Sequence, residues 1–301
     1  TATITNPGTY TVTATAANGC SSQSVITVTQ NTTAPTAGIT NSTGTTTLNC
    51  TTTAINVTAT GGTSYVWTGG LGSSSTATIT NPGTYTVTAT AANGCSSQSV
   101  IAVTQNTTSP VVSVTTSTSS ICIGASVTLA GSGANTYTWN PGNLSGSTVT
   151  VNPISTLVYT VTGTNAIGCS NTETVTITVN TLPIVSVVAS STAICDGFST
   201  ILTVGGASSY LWNTGATTAS ISVTPSITTT YSVVGTNTLG CSNTKTVSVS
   251  VNALPAVAVS SSTICAGSTG TIVASGATTY LWNTGATTAA IAVTPASTTV
   301  Y

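Results

Sequence analysis

One cadence constrains the fold of this chain more than any other feature. A Cys is followed 17 residues later by a Trp, then 18 to 20 residues later by a Tyr, then 10 residues later by a second Cys. It reads Cys50, Trp67, Tyr85, Cys95. It recurs as Cys122, Trp139, Tyr159, Cys169 and as Cys195, Trp212, Tyr231, Cys241. Cys265, Trp282 and Tyr301 repeat its opening, and Tyr10 and Cys20 repeat its close. Thr1–Ile26 is identical to Thr76–Ile101, and Tyr210–Ala219 to Tyr280–Ala289. Such periodicity marks a tandem array, expected to run beyond this window, in which each repeat is one structural unit. The repeats are placed at 1–33 (partial), 34–108, 109–181, 182–253 and 254–301 (partial). At about 73 residues each, they lie near the lower limit for an independent core.

Apolar and polar residues alternate with period two in almost every segment, the mark of half-buried strands. In 84–90, Tyr85, Val87 and Ala89 share one face, and Thr84, Thr86 and Thr88 the other. Asn-Pro-Gly at 81–83 and Ala-Asn-Gly at 92–94 are turn signals. No stretch has a 3.6-residue period, so helix is expected to be close to nil. Pro35, Pro110, Pro183 and Pro255 each open a strand-like run, leaving linkers of a few residues. Short linkers with a Pro favour a stiff string. In the third repeat, strands are expected at 111–116, 126–130, 136–139, around Leu144, and at 148–151, 158–164 and 172–179. Seven short strands with frequent turns indicate an all-β, immunoglobulin-like sandwich. Trp67, Trp139, Trp212 and Trp282, with Tyr85, Tyr159 and Tyr231, are the expected core aromatics.

Charge is almost absent: one Lys or Arg (Lys245), two acids (Glu173 and Asp196) and no His. One cation cannot neutralise a phosphate backbone, so nucleic acid is not an expected partner. The mean hydropathy of +0.40 comes from alternating Val, Ile and Ala. No apolar run approaches the roughly 20 residues needed to span a bilayer, and membrane insertion of this segment is not expected. Catalytic and metal sites need clusters of His, carboxylates or thiolates. The chain lacks them, and neither enzyme activity, a metal nor a cofactor is expected. Glu173 aligns with Lys245, opposite charges at one repeat position. Asp196 aligns with Ile123 and Ala266. These point to exposed strand and turn residues. The Tyr-x-Trp pairs, such as Tyr137 and Trp139, are the one aromatic concentration. A core role is expected, with a sugar-stacking platform as the alternative.

Eight Cys at regular spacing, with no His, fit disulfides in an oxidising compartment. The half-cystines are Cys20, Cys50, Cys95, Cys122, Cys169, Cys195, Cys241 and Cys265. Two pairings are open. One stays within repeats, as Cys50–Cys95, Cys122–Cys169 and Cys195–Cys241. The other joins neighbours, as Cys50–Cys169 and Cys122–Cys241. In an immunoglobulin-type strand order the two Cys of a repeat sit at opposite ends, roughly 25–30 Å apart. A disulfide needs Cα atoms within about 7 Å. That order would exclude pairing within a repeat, and any order that brings the two Cys to one end would allow it.

The residues Cys122-Ile123-Gly124, Val127, Leu129, Tyr137, Trp139, Tyr159, Val161 and Asn165 to Cys169 carry a resemblance. The pattern resembles the immunoglobulin-like and PKD-like repeats of very large surface adhesins of Bacteroidota. These include gliding-motility adhesins exported by type IX secretion. The resemblance covers the whole chain. It departs from antibody-type domains, whose inter-sheet disulfide positions hold Gly131 and Val161 here. It implies an elongated, extracellular stalk or adhesive filament on a bacterial cell surface, projecting a binding tip. Its partners would be neighbouring repeats, laterally assembled copies or other surface-filament proteins, and possible surface polysaccharide. The alternative is a polysaccharide-binding module, or the spacer of a secreted enzyme.

Overall fold

The computed structural model describes Thr1–Tyr301, all β-strand and turn with no helix. The chain forms two compact units. One holds Thr1–Ser119, Ser126–Asn152 and Leu157–Ile177, and the other holds Ser120–Ala125, Pro153–Thr156 and Thr178–Tyr301.

The first unit opens with a hairpin, β1 (Gly8–Thr15) and β2 (Ser21–Val28), paired antiparallel. Next come β3 (Gly38–Asn41), β4 (Thr47–Leu48), β5 (Ile55–Thr60), β6 (Ser64–Trp67), β7 (Thr76–Ile79), β8 (Gly83–Thr90) and β9 (Ser96–Gln105). They form two sheets, in the orders β3-β5-β7 and β4-β9-β8-β6. This is the strand layout of an immunoglobulin-like sandwich. Alternation sets the buried faces: in β5, Ile55, Val57 and Ala59 are buried while Asn56 and Thr60 are exposed. Those residues pack with Leu48, Trp67, Ile79, Val87 and Val103 into one core. Burying each large aliphatic side chain stabilises by about 1.5–3 kcal/mol.

The third repeat starts with β10 (Ser113–Thr116) and a three-residue strand, β11 (Ser120–Cys122). It continues with β12 (Val127–Ser132), β13 (Thr136–Asn140), β14 (Leu144–Ser145), β15 (Thr148–Val151), β16 (Leu157–Thr164) and β17 (Ser170–Asn180). Within the first unit these give the sheets β10-β12-β15 and β17-β16-β13-β14. Leu129, Trp139, Val161 and Ile177 are 0–1 % exposed at its centre. Every expected strand is present, β15 at the expected residues and the others with ends shifted by one or two residues. The first begins at Ser113 instead of Val111, because the Val111 carbonyl is instead packed against Gly133.

The strand missing from the sequence expectation is β11. In the second unit it pairs in parallel with the end of β17, Ser120 opposite Thr178 and Cys122 opposite Asn180. Three residues are too few to display an alternating pattern.

The rest of the second unit has β18 (Ser186–Ala189), β19 (Ala193–Cys195), β20 (Thr200–Gly205), β21 (Ser209–Trp212), β22 (Ser220–Val223), β23 (Thr229–Thr236) and β24 (Ser242–Asn252). Their sheets are β18-β20-β22 and β19-β24-β23-β21, the same layout again. The core holds Leu202, Val204, Trp212, Tyr231, Val233 and Val249. A last sheet contains β25 (Ala258–Val259), β26 (Gly270–Ser275) and β27 (Ala290–Val293), with Ile272, Trp282, Ile291 and Val293 clustered against it.

Candidate functional site: the cysteine junctions between repeats

Two disulfides are formed, Cys50–Cys169 in the first unit and Cys122–Cys241 in the second. Each joins residues 119 apart, with Cα atoms 5.0 and 5.6 Å from one another. Each therefore links one repeat to the next rather than the two ends of one repeat. Local sequence places both partners. Cys50 follows β4, whose parallel pairing with the end of β9 fixes its position. The Asn49 side chain then turns the chain: its Oδ1 accepts from the amides of Thr51 (3.0 Å) and Thr52 (2.6 Å).

Cys169 sits in the turn between β16 and β17. Asn165 closes that turn by accepting the Cys169 amide on Oδ1 at 3.0 Å. Its Nδ2 donates to the carbonyl of Thr108, in the preceding linker, at 2.8 Å. Two residues beyond Cys169, Asn171 Nδ2 donates to the carbonyl of Pro110 at 3.2 Å. Gly168, at φ +78°, lies so close to the Cys50 turn that a Cβ would come within 2.1 Å of the Thr51 methyl. No other residue fits there without moving the neighbouring repeat's loop.

The second junction repeats the Asn contacts but not the close approach, since the equivalent Gly240 has open space around it. Asn237 accepts the Cys241 amide at 3.0 Å and donates to the Thr181 carbonyl at 3.0 Å. Asn243 donates to the Pro183 carbonyl at 3.1 Å. In the second repeat Asn93 holds the Thr33 carbonyl at 3.0 Å, and Ser97 donates to the carbonyl of Pro35. Three linkers are thus pinned by neutral side chains from the turn that bears the second Cys and from the start of the strand after it. Sequence inspection missed these clamps. Asn is common in turns, and the clamp stands two residues before Cys95 but four before Cys169 and Cys241. The available signal was a polar residue two positions after each Cys, at Ser97, Asn171 and Asn243.

Cys20, Cys195 and Cys265 are free and exposed, and Cys95 is free and half-buried. Cys95 lies in the counterpart of the Cys169 turn. Its thiol is 3.7 Å from the Asn31 carbonyl.

The four Trp side chains face inward. Trp67, Trp139, Trp212 and Trp282 are between 1 and 7 % exposed. Their indole N–H groups donate to the carbonyls of Ser74, Gly146, Thr218 and Thr288 at 2.9–3.0 Å. Tyr137 is buried beside Trp139, its hydroxyl bonded to both backbone groups of Ala134. Tyr159 and Tyr231 are buried and Tyr85 is half-buried. Burial raises the Tyr159 phenol above its ordinary pKa. Glu173 and Lys245 are exposed at equivalent places, opposite Val161 and Val233, and Asp196 is also exposed. No three His, Cys, Asp or Glu residues come together as metal ligands would.

No family model and no curated protein matches the chain. Among solved structures it is similar to an adhesin with which an Antarctic bacterium binds ice, described as stabilised by Ca2+. That match has 16 % identity, a TM-score of 0.43 and 81 % of each chain covered. It is also similar to part of a 1.5-MDa bacterial ice-binding adhesin, at 15 % identity and TM-score 0.35, covering 74 % of this chain and all of that one. A third similar structure is the N-terminal eight immunoglobulin domains of Down syndrome cell adhesion molecule. It has 12 % identity and TM-score 0.34, with 91 % of this chain and 44 % of that one covered. At these scores the likeness bears on neither ligand nor activity.

Proposed function

We propose that these repeats form a non-enzymatic stalk or adhesive filament of an extracellular bacterial surface adhesin, projecting a binding tip and bearing mechanical load. The observation that carries this proposal is the pair of disulfides joining successive repeats, Cys50–Cys169 and Cys122–Cys241. A cross-link between neighbours serves an array that must hold its geometry under tension, and disulfides persist outside the reducing cytosol. The clamps of Asn93, Asn165 and Asn237 on the linkers support the same role.

The Cys-x-Gly, Tyr-x-Trp and Asn-x-x-Gly-Cys residues support placement among Bacteroidota surface adhesins of the gliding-motility type, with type IX secretion as the route. Lateral assembly with further copies is part of this proposal, because the sheet edges lack the charged residues that usually block pairing. The buried indoles weigh against polysaccharide stacking on Trp139 or Trp212. Small-angle scattering tests the stalk directly. A maximum dimension several times the width of one sandwich is expected from the 301-residue chain. A compact profile would remove the proposal.

A further inference from the structure

The two disulfides interleave. In chain order the half-cystines run Cys50, Cys122, Cys169, Cys241, and the first bonds to the third, the second to the fourth. This crossing creates covalent short cuts. From Cys50 a bond leads to Cys169. The chain then continues through β17, the linker at 181–185, β18 and β19 to Cys195. From Cys95 the chain runs through β9, the linker at 106–112, β10 and β11 to Cys122, where a bond leads to Cys241 and on to β24. Neither route enters the strands between the two Cys of a repeat. Those strands, β5–β8, β12–β16 and β20–β23, contain Trp67, Trp139 and Trp212.

We propose that the chain carries tension along two covalent tracks, each alternating a disulfide with one strand–linker–strand segment, while the intervening core strands are bypassed. The proposal deepens the load-bearing function above and rests on it for its biological purpose, although the covalent routes stand on the bonding alone. Each track segment is largely extended strand, with little length to release. The tracks also touch in the second, third and fourth repeats, through a short parallel pair in each. In the second repeat β4, leading to Cys50, pairs with β9 of the other track, Thr47 opposite Thr104. In the third, β11 pairs with β17, Ile121 opposite Val179. In the fourth, β19 pairs with β24, Ile194 opposite Val251. Each pair joins one track to the other with both chains running in the same direction. A pull along the strands therefore shears the pair's hydrogen bonds together instead of opening them one at a time. This gives these two- and three-residue strands a role that packing alone does not.

Single-molecule stretching between handles on Thr46 and Phe198, both exposed, tests the tracks. Handles should be attached by chemistry that spares thiols. Fully extended chain spans at most about 3.6 Å per residue. In the oxidised protein the track through Cys50–Cys169 leaves roughly 33 peptide links between handles, an upper limit of about 120 Å. In dithiothreitol the limit becomes about 550 Å, over roughly 152 links, so oxidation shortens it to about one fifth. Ten residues inserted after Gly142, in a bypassed segment, should leave the oxidised limit unchanged and lengthen the reduced one. Ten residues inserted after Thr181, in the track, should lengthen both. An oxidised limit near 215 Å, the value for bonds within repeats, would overturn the proposal. So would an oxidised limit equal to the reduced one, or a response to the Gly142 insertion. The scattering measurement remains independent, so the tracks could fail while the stalk stands, or the reverse.

Discussion

At Gly133 the backbone takes φ +90°, and a Cβ would come within 1.8 Å of the Val111 carbonyl oxygen. Gly61, Gly206 and Gly276 stand in the same relation to the carbonyls of Thr36, Ile184 and Ala256. Each lets the chain entering a repeat pass directly over the end of its second long strand. Gly133→Ala combines left-handed strain of about 1–3 kcal/mol with a backbone collision that no rotamer relieves. Gly124→Ala, at φ +89° with open space around it, carries only the strain. Denaturant unfolding should therefore show a loss for Gly133→Ala at least about 2 kcal/mol larger; equal losses would show that the close approach is not needed. Trp139→Ala should cost about 3–5 kcal/mol, the usual range for a fully buried Trp, and Trp139→Phe less. The sequence marked the Cys and Trp columns through their fixed spacing, but it could not rank the glycines. A glycine in a free turn and a glycine under a carbonyl look alike until the neighbouring strand is placed. Local sequence is equally silent on cover. Val12 and Val87 lie in identical segments, yet Val12 is 65 % exposed and Val87 fully buried. The second is covered by its own repeat's other sheet.

Among the strands, alternation revealed the long ones and missed the short parallel ones. β4, β11 and β19 are two or three residues long, held by backbone pairing and one buried side chain each, Leu48, Ile121 or Ile194. Because these strands carry or precede the first Cys of each repeat, their absence from the sequence expectation left the disulfide pairing open. The clamp side chains behave like small elements of their own. Asn165→Ala removes one donor to the Thr108 carbonyl and the acceptor of two turn amides. A loss of about 1–3 kcal/mol is expected, with faster amide exchange and proteolysis around 106–112. Unchanged protection there would mean that the disulfide alone orients the linker. In β16, the raised pKa of Tyr159 sets a pH dependence with a definite sign. The unfolded phenol ionises first, near pH 10, which favours the unfolded chain. The stability tied to Tyr159 is thus fully present below about pH 10 and is lost as pH rises through the higher folded value. Tyr159→Phe should blunt the alkaline loss measured by melting at stepped pH. An identical alkaline profile would assign the loss to other groups.

The whole molecule is a folded chain whose stability has almost no charge to act through. With Lys245, Glu173 and Asp196 all exposed, melting should shift little between about pH 5 and pH 8, or between low and moderate salt. Covalent connectivity is the contrasting lever. In the chain-entropy account, a bond between residues 119 apart removes about 5 kcal/mol of unfolded-state freedom. Spread over two repeats, that corresponds to a melting shift on the order of 10 °C. Dithiothreitol should therefore lower the melting temperature by that order, while salt and mild pH changes leave it nearly still. Cys50→Ser should reproduce the shift for the second and third repeats, and Cys122→Ser for the third and fourth. The third repeat, held by both bonds, should respond to either substitution. That pattern follows only from bonds that cross between neighbours. Bonds closed within repeats would confine each effect to one repeat, and a melt insensitive to reductant but responsive to salt would show that packing and charge, instead of the cross-links, hold the array together.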